Sequence, residues 1–492
     1  MDITSTQSLA YVLLIATLGF FGYIGFRAAV EKKLDKDAYL SARGSQNWVR
    51  IGLSLFASGM GIWILFGPSE VGYYGGFWDV VGYSLSAATP FLLLAYIGPL
   101  IREKLPIGVT LADYVRLRVG RPMQIYVGLI SVAYMFTFLF AEFTAIGKAM
   151  NVLGDMNPLI PMISVGVVTS AYTAYGGLPA SLRTDRWQAW IVIWLVVALL
   201  LIIFAGDLSN IIADAKAYNP EDDWSIGSMS YMDSFSSGLA LVLAITAAEM
   251  FSQGNWQRAW AAEDNRALKK GAVLAASLVL PLVFIMGFLG TVVAGQGAAA
   301  DPSAAFFILI EDVHILLIAG FIILGIALVC SSVDTLQNAI SASITRDLSD
   351  GKMNLNKART VTILLIPIAI YLATGPTIAG FTFDALGVFE IFLFADLLAA
   401  ATVLPIFLTL WDKISSNAAL IGAFSGLLSV VMYGLITEDF STGLGYIFSP
   451  TNEFGLANLE VFLSALIGSG GATVVLSYAM PNGFIIQHKE EE

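Results

Sequence analysis

The chain has 492 residues, of which 57% are apolar and only 13% charged, and its mean hydropathy is +0.78. A soluble protein of this size carries about 25% charged residues. Apolar runs of about 18 residues or more recur from end to end, each long enough to cross a hydrocarbon core about 30 Å thick. This excludes a soluble domain, and the lack of alternating segments of about ten residues excludes a β-barrel. The single cysteine, Cys330, excludes a disulfide framework, and with His314 and His488 it makes too small a set for a metal cluster. No GxxxxGK[ST] phosphate loop is present, so an ATP-driven pump is not expected on this chain alone.

In chain order, thirteen membrane helices are expected, at roughly 8–30, 49–75, 78–101, 123–152, 158–175, 188–206, 234–253, 270–296, 314–347, 358–375, 381–411, 415–436 and 458–480. The first does not read as a cleavable signal. Its apolar run is too long, Asp2 rather than a basic residue precedes it, and its basic cluster follows it. With the N-terminus outside, the inner segments collect Lys32, Lys33, Lys36, Arg43, Arg102, Lys104, Arg116, Arg118 and Arg121. They also collect Arg183, Arg186, Arg258, Arg266, Lys269, Lys270, Arg346, Lys352, Lys357 and Arg359, whereas only Lys148 and Lys216 fall clearly outside. This positive-inside bias predicts a plasma-membrane protein, of the bacterial inner-membrane kind, with its N-terminus outside and its C-terminus in the cytoplasm. The net charge of −12 sits partly in 207–233, an outer acidic stretch that reads as a solvated loop or as a weak cation-attracting field.

Two spans look interrupted. In ASGMGIWILFGPSEVGYYGG, Gly59, Gly61, Gly67 and Pro68 fall within one nominal helix. In TAAEMFSQGN, Glu249, Ser252, Gln253, Gly254 and Asn255 fall at membrane depth. Unwound backbone inside a bilayer is tolerated where protein or a cavity buries it. Paired interruptions at matching places of two repeats point to a transporter binding site, although kinked helices packed on glycine would give the same pattern.

The span at 314–347 begins as ordinary membrane helix and runs without Pro or Gly into LVCSSVDTLQNAISASITRD. On a helical wheel of about 100° per residue, Val329, Val333, Leu336, Ile340 and Ile344 form one apolar stripe. Ser331, Ser332, Thr335, Asp334, Asn338, Ser341 and Thr345 occupy the remaining side, which is expected to face polar partners or water. Hydroxyls of Ser331 and Ser332, one turn beyond the Leu328 carbonyl, can offer three oxygens on one face, a donor set that suits a small hard cation such as Na⁺. Free carbonyls around Ala57 and Met60 in the broken second span would complete the set. The other reading of these serines is close packing between helices.

These stretches resemble the sodium:solute symporter family. LVCSSVDTLQNAISASITRD is similar to the family's eighth core helix, in which a Ser-Ser or Ser-Thr pair precedes an acidic residue by the spacing seen from Ser332 to Asp347. SLFASGMGIWILFGP is similar to the first core helix and AYGGLPASLRTDRWQ to the segment entering the fifth. The resemblance covers essentially the whole chain. It implies an all-α, LeuT-like fold of two inverted five-helix repeats with discontinuous first and sixth core helices. An extra helix at 8–30 would precede repeats at 49–206 and 234–411, and two more helices would follow within 415–480. It implies a sodium site formed by the carbonyls of Ala57, Met60 and Leu328 and the hydroxyls of Ser331 and Ser332. It also implies that Asp185 assists sodium on the inner side, where the alternative is an Asp capping a cytoplasmic helix start. The chain departs from sodium–proline transporters at Gly59, where they have an Asp, and at Ile245 and Glu249, where they have aromatic groups. QGNWQRAWAAED and EIFLFADLLAAATVLPIFLTLW are more similar to the urea and polyamine branch.

An acidic residue inside a membrane is functional by default. Glu249 sits where the sixth core helix is expected to unwind, and could hold a cationic or amide solute, join a second cation site or relay protons. Asp334 could extend the ion site or pair with another helix. Glu142, Glu70, Glu390 and Asp396 are further intramembrane acids. Trp63, Phe251 and Gln253 are expected to line the cavity together with Glu142 and Glu249. The expectation is therefore a sodium-coupled secondary active symporter that takes up a small organic solute, urea- or polyamine-like or an amino acid. Its expected partners are that solute, Na⁺ and the lipid bilayer, with no nucleic acid and no organic cofactor, and no motif specifies an oligomeric state. A sodium-independent uniporter or channel, or a membrane sensor on the same scaffold, is the alternative. No nucleophile–base pair or metal cluster points to an enzyme.

Overall fold

A computed structural model of the protein describes residues 6–30, 35–217, 232–297, 301–310, 314–378, 381–382, 388–452 and 456–480. It is helical almost throughout. Helix α1 (Thr6–Val30) leads through the short α2 (Lys36–Ser41) to α3 (Trp48–Gly59), a 3₁₀ turn at Ile62–Leu65 and α4 (Gly67–Gly75). Helices α5 (Phe77–Lys104), α6 (Leu111–Arg118), α7 (Arg121–Gly154) and α8 (Leu159–Ala217) complete the first half. The second half opens with α9 (Met232–Glu249), α10 (Gln253–Ala261), α11 (Asn265–Gln296) and the single turn α12 (Ala305–Ile308). It continues with α13 (Ile315–Ser343), α14 (Leu355–Ala373), α15 (Val388–Leu408), α16 (Ser416–Thr437), α17 (Phe440–Phe448) and α18 (Leu459–Ala479).

Many helices start on a side-chain cap. Asp35, Asn47, Thr110, Asp264, Asn354, Ser415, Asp439 and Asn458 each accept a hydrogen bond from a backbone N–H in the first turn of the helix they precede. Each supplies an acceptor to a donor that has no intrahelical partner.

Among the described residues, nine helices are long and apolar enough to cross a membrane. Two more spans are bent pairs: α3 with Ile62–Gly75, at 60°, and α9 with α10, at 59°. Both interruptions expected from the sequence are present. The total falls short of thirteen for two reasons. The apolar part of α15 is the shorter Phe392–Leu408, and the spans expected at 158–175 and 188–206 are joined in the single helix α8. The segment between them had the look of a cytoplasmic loop. In the structure Leu178, Ala180, Ser181, Leu182, Thr184 and Asp185 are all buried, so the backbone there has no water to bond and satisfies itself within the helix. The join is at Gly177, whose φ is +55°. A Cβ there would run into the backbone and ring of Tyr39, so glycine is needed twice over. Of the acidic outer stretch, 218–231 lies outside the described residues.

The spans sort into two groups by packing. In one, α11 packs on α3, α4 and α5, and α9 packs on α5. In the other, α13 and α14 each pack on α7 and α8. The groups meet where α3 touches α8 and α13, α10 touches α13, and the 3₁₀ turn touches α7. That seam carries the polar side chains described next.

Candidate functional site

The break after α3 creates two kinds of unpaired backbone. The Phe56 carbonyl accepts from the Met60 N–H at 3.0 Å. Met60 and Gly61 then leave helical geometry, with φ/ψ of −97°/88° and −82°/−179°. The carbonyls from Ala57 to Met60 therefore lie past the last helical donor, as at any helix C-terminus. On the far lip, the N–H groups of Ile62 and Trp63 open a new turn and both donate to the Glu142 carboxylate of α7, at 3.0 and 3.4 Å. An anion is favourable on such N–H groups. Gly61 makes this possible, because a Cβ there would overlap the Glu142 carboxylate.

Helix α13 approaches the same break. The Ser332 hydroxyl donates to Glu142 Oε2 at 2.6 Å and also lies 3.2 Å from the Leu328 carbonyl. The Ser331 hydroxyl donates to Asp185 Oδ1 at 2.8 Å. A carboxylate can only accept, so each serine gives its one proton to a carboxylate. Both lone pairs of each hydroxyl are then free for a cation. Ser331, Ser332, Leu328, Ala57 and Met60 are buried. Two carboxylates, Glu142 and Asp185, therefore stand against the two serines of the expected donor set. Glu142, expected to line the solute cavity, lies against Ser332 and the α3 break.

Asp185 is in mid-helix, not at a cytoplasmic cap. Its Oδ2 accepts from Ser54 at 2.5 Å and from Arg258 Nη2 at 2.7 Å, and both members of this ion pair are 0% exposed. Arg258, read from the sequence as a cytoplasmic loop residue, is wholly buried on α10. It also donates to Ser54 Oγ, Thr335 Oγ1 and the Gly254 carbonyl. Asp334 is bound from α8 by the hydroxyls of Tyr172, Ser181 and Thr184, at 2.6, 2.6 and 3.1 Å. The polar side of α13 thus faces protein rather than water: from Leu324 to Thr335 every residue is buried. Sequence reading missed Arg258, Ser54, Thr335, Tyr172, Ser181 and Thr184 as partners. The available signal was a lone basic residue between two tryptophans in NWQRAWA.

The second break, between α9 and α10, holds Glu249. It accepts from the Tyr134 hydroxyl of α7 at 2.9 Å and from Asn255 Nδ2 at 3.0 Å. Gln253 commits its amide to the protein: its Oε1 accepts from the Leu111 N–H at 2.8 Å and its Nε2 donates to Ser131 at 2.8 Å. Phe251 is fully buried in the apolar core. Trp63 meets the Tyr83 ring edge-on, with centroids 5.9 Å apart. The side chain of Glu390 lies outside the described residues.

Comparison with known proteins agrees with this architecture. The model of the sodium:solute symporter family matches residues 39–426. The spermidine transporter DUR31 of Candida albicans is 29% identical over 440 residues, spanning 87% of this chain and 79% of that protein. The sodium/proline symporter 2 of Staphylococcus saprophyticus is 24% identical over 462 residues, spanning 86% of this chain and 85% of its own. A Na⁺-coupled sialic acid symporter, solved in a substrate-bound outward-open state, matches with a TM-score of 0.73 at 14% identity, covering 96% of this chain and 98% of that one. Mhp1, a nucleobase-cation-symport-1 family transporter solved in a closed conformation, matches with a TM-score of 0.57 at 14% identity, over 93% and 98% of the two chains. These structural likenesses give the fold, which is LeuT-like.

Proposed function

The chain belongs to the sodium:solute symporter family, and from that premise we propose that it is a sodium-coupled secondary active symporter that brings a small organic solute into the cell by alternating access. One observation carries the sodium assignment. The hydroxyls of Ser331 and Ser332 are each turned onto a buried carboxylate, which leaves their lone pairs to a cation at the break of α3. The ion's ligands are those hydroxyls and the carbonyls of Ala57, Met60 and Leu328. Glu142 and Asp185 hold the serines in that orientation and add negative charge nearby. Asp185, on α8 and shared between Ser331 and Arg258, hands sodium onward toward the basic, cytoplasmic end, and Asp334, on the polar side of α13, stands near it.

The ligands come from both packing groups, α3 from one and α13 from the other. An ion bound between them favours the arrangement in which the two surfaces are correctly apposed, and so shifts the conformational equilibrium. If that arrangement also has the better solute site, sodium and solute raise each other's affinity equally. Rocking of one group against the other around the fixed site then releases both inward.

The test needs no knowledge of the solute. Purified protein in detergent should melt at a higher temperature in NaCl than in KCl at equal ionic strength, because a ligand that binds only the folded state stabilises it. Changing Ser331→Ala together with Ser332→Ala should abolish that difference. Equal melting of the unaltered protein in the two salts would sink the sodium assignment.

A further inference from the structure

We propose that the solute is an organic cation with two ammonium groups, an alkyl diamine or a longer polyamine, held between Glu249 and Asp396. This rests on the transporter reading above and names the substrate class of its solute site.

The argument starts from Asp396 on α15. It is 3% exposed, and among the described residues it makes no hydrogen bond or ion pair. Its place is fixed by the register of α15 against α7. At one end, the Thr402 hydroxyl bonds the Tyr126 hydroxyl at 3.3 Å. At the other, the Phe392 ring packs on Phe138 with centroids 4.4 Å apart. The two helices are therefore antiparallel, and Asp396, one turn past Phe392, is level with Tyr134, one turn before Phe138. Tyr134 is the residue whose hydroxyl bonds Glu249. In keeping with this, Asp396 lies within Coulombic range of Glu249, Tyr134 and Tyr83.

Two carboxylates from different helices, Asp396 buried and Glu249 half-buried, thus converge on Tyr134. Arg258, the buried cation of the neighbouring helix α10, is already held by Asp185. The surrounding surface is aromatic: Tyr134 packs on Phe138 at 5.0 Å between centroids, and Tyr83 packs on Trp63 at 5.9 Å. Aromatic faces attract ammonium groups, and the attraction grows when water is excluded. A neutral solute would leave both carboxylates uncompensated in a low-dielectric setting. An anion would be repelled, and a zwitterion would bring a third carboxylate into the cluster. A dication satisfies both acids.

Proteoliposomes containing the full chain provide the test, with labelled 1,4-diaminobutane, urea and proline each offered under an inward sodium gradient. Saturable diaminobutane uptake that excess urea and proline leave intact is expected. Asp396→Asn should raise the KM for diaminobutane about tenfold or more, as loss of one partner of a buried charge pair does, and Asp396→Glu should restore most of it. Sodium-driven accumulation of urea or proline without diaminobutane would overturn this assignment and leave the symport reading standing. Diaminobutane uptake equal in sodium and potassium would support the cation site and overturn the coupling. The competition among solutes in the unaltered protein decides the substrate class even where a variant fails to fold.

Discussion

Asp185 and Arg258 form an ion pair 2.7 Å long with neither side chain exposed to solvent. Such a pair contributes little net stability against an apolar pair of the same shape, but breaking it from one side costs about 3–5 kcal/mol, because the remaining charge stays buried and unmatched. Asp185→Asn alone should therefore lower the melting temperature in detergent substantially, and so should Arg258→Met alone. Asp185→Leu combined with Arg258→Met should recover most of that loss while leaving transport dead. Single variants that melt like the unaltered protein would show that the pair is not closed in the folded molecule. Of these two residues, only Asp185 was legible in the sequence, through the family resemblance of AYGGLPASLRTDRWQ. Arg258 was read as one more positive charge on the inner side, because a charge count carries no information on whether a residue faces water or a carboxylate. Similarly, Asp334 was legible as an unusual acid, but its three hydroxyl partners come from residues 172–184. That stretch joins α13 only through the tertiary fold.

At the scale of single elements, the two breaks were the most legible features. Glycine and proline declare the first locally, a polar run at membrane depth declares the second, and no distant residue is needed to see them. The join within α8 was the least legible, since LRTDRW has the composition of a loop, and the burial of its Leu182, Thr184 and Asp185 comes from the tertiary fold. The α3 break also illustrates how an element can depend on one missing atom. Glu142 reaches the Ile62 and Trp63 N–H groups over a bare Gly61. Gly61→Ala should expel that carboxylate, freeing the Ser332 hydroxyl to turn back onto the α13 backbone, where the Leu328 and Val329 carbonyls are each 3.2 Å away. Sodium-dependent stabilisation should fall by about tenfold in apparent sodium affinity or more, the scale set by losing a hydrogen bond to a charged group, while the protein still purifies as a folded species. Unchanged sodium dependence in Gly61→Ala would show that Glu142 takes no part in setting the site.

On the scale of the whole molecule, the seam between the two packing groups holds the proposed sodium site and is the surface along which the groups would move. Glu103 at the end of α5 and Lys357 at the start of α14 are exposed and belong to opposite groups. Spin labels on Glu103→Cys and Lys357→Cys should give a distance distribution that differs between sodium and potassium. Superimposable distributions would argue against rocking of the groups. The chain is unusually ready for such a measurement. Its one native thiol, Cys330, is 0% exposed and sits beside Ser331 in the middle of α13. Attachment chemistry on a surface cysteine therefore has no accessible competitor, and reporters can be placed one or two at a time on an otherwise native background. Any slow reaction at Cys330 itself would then be a clock for the loosening of α13 from the helices that bury it.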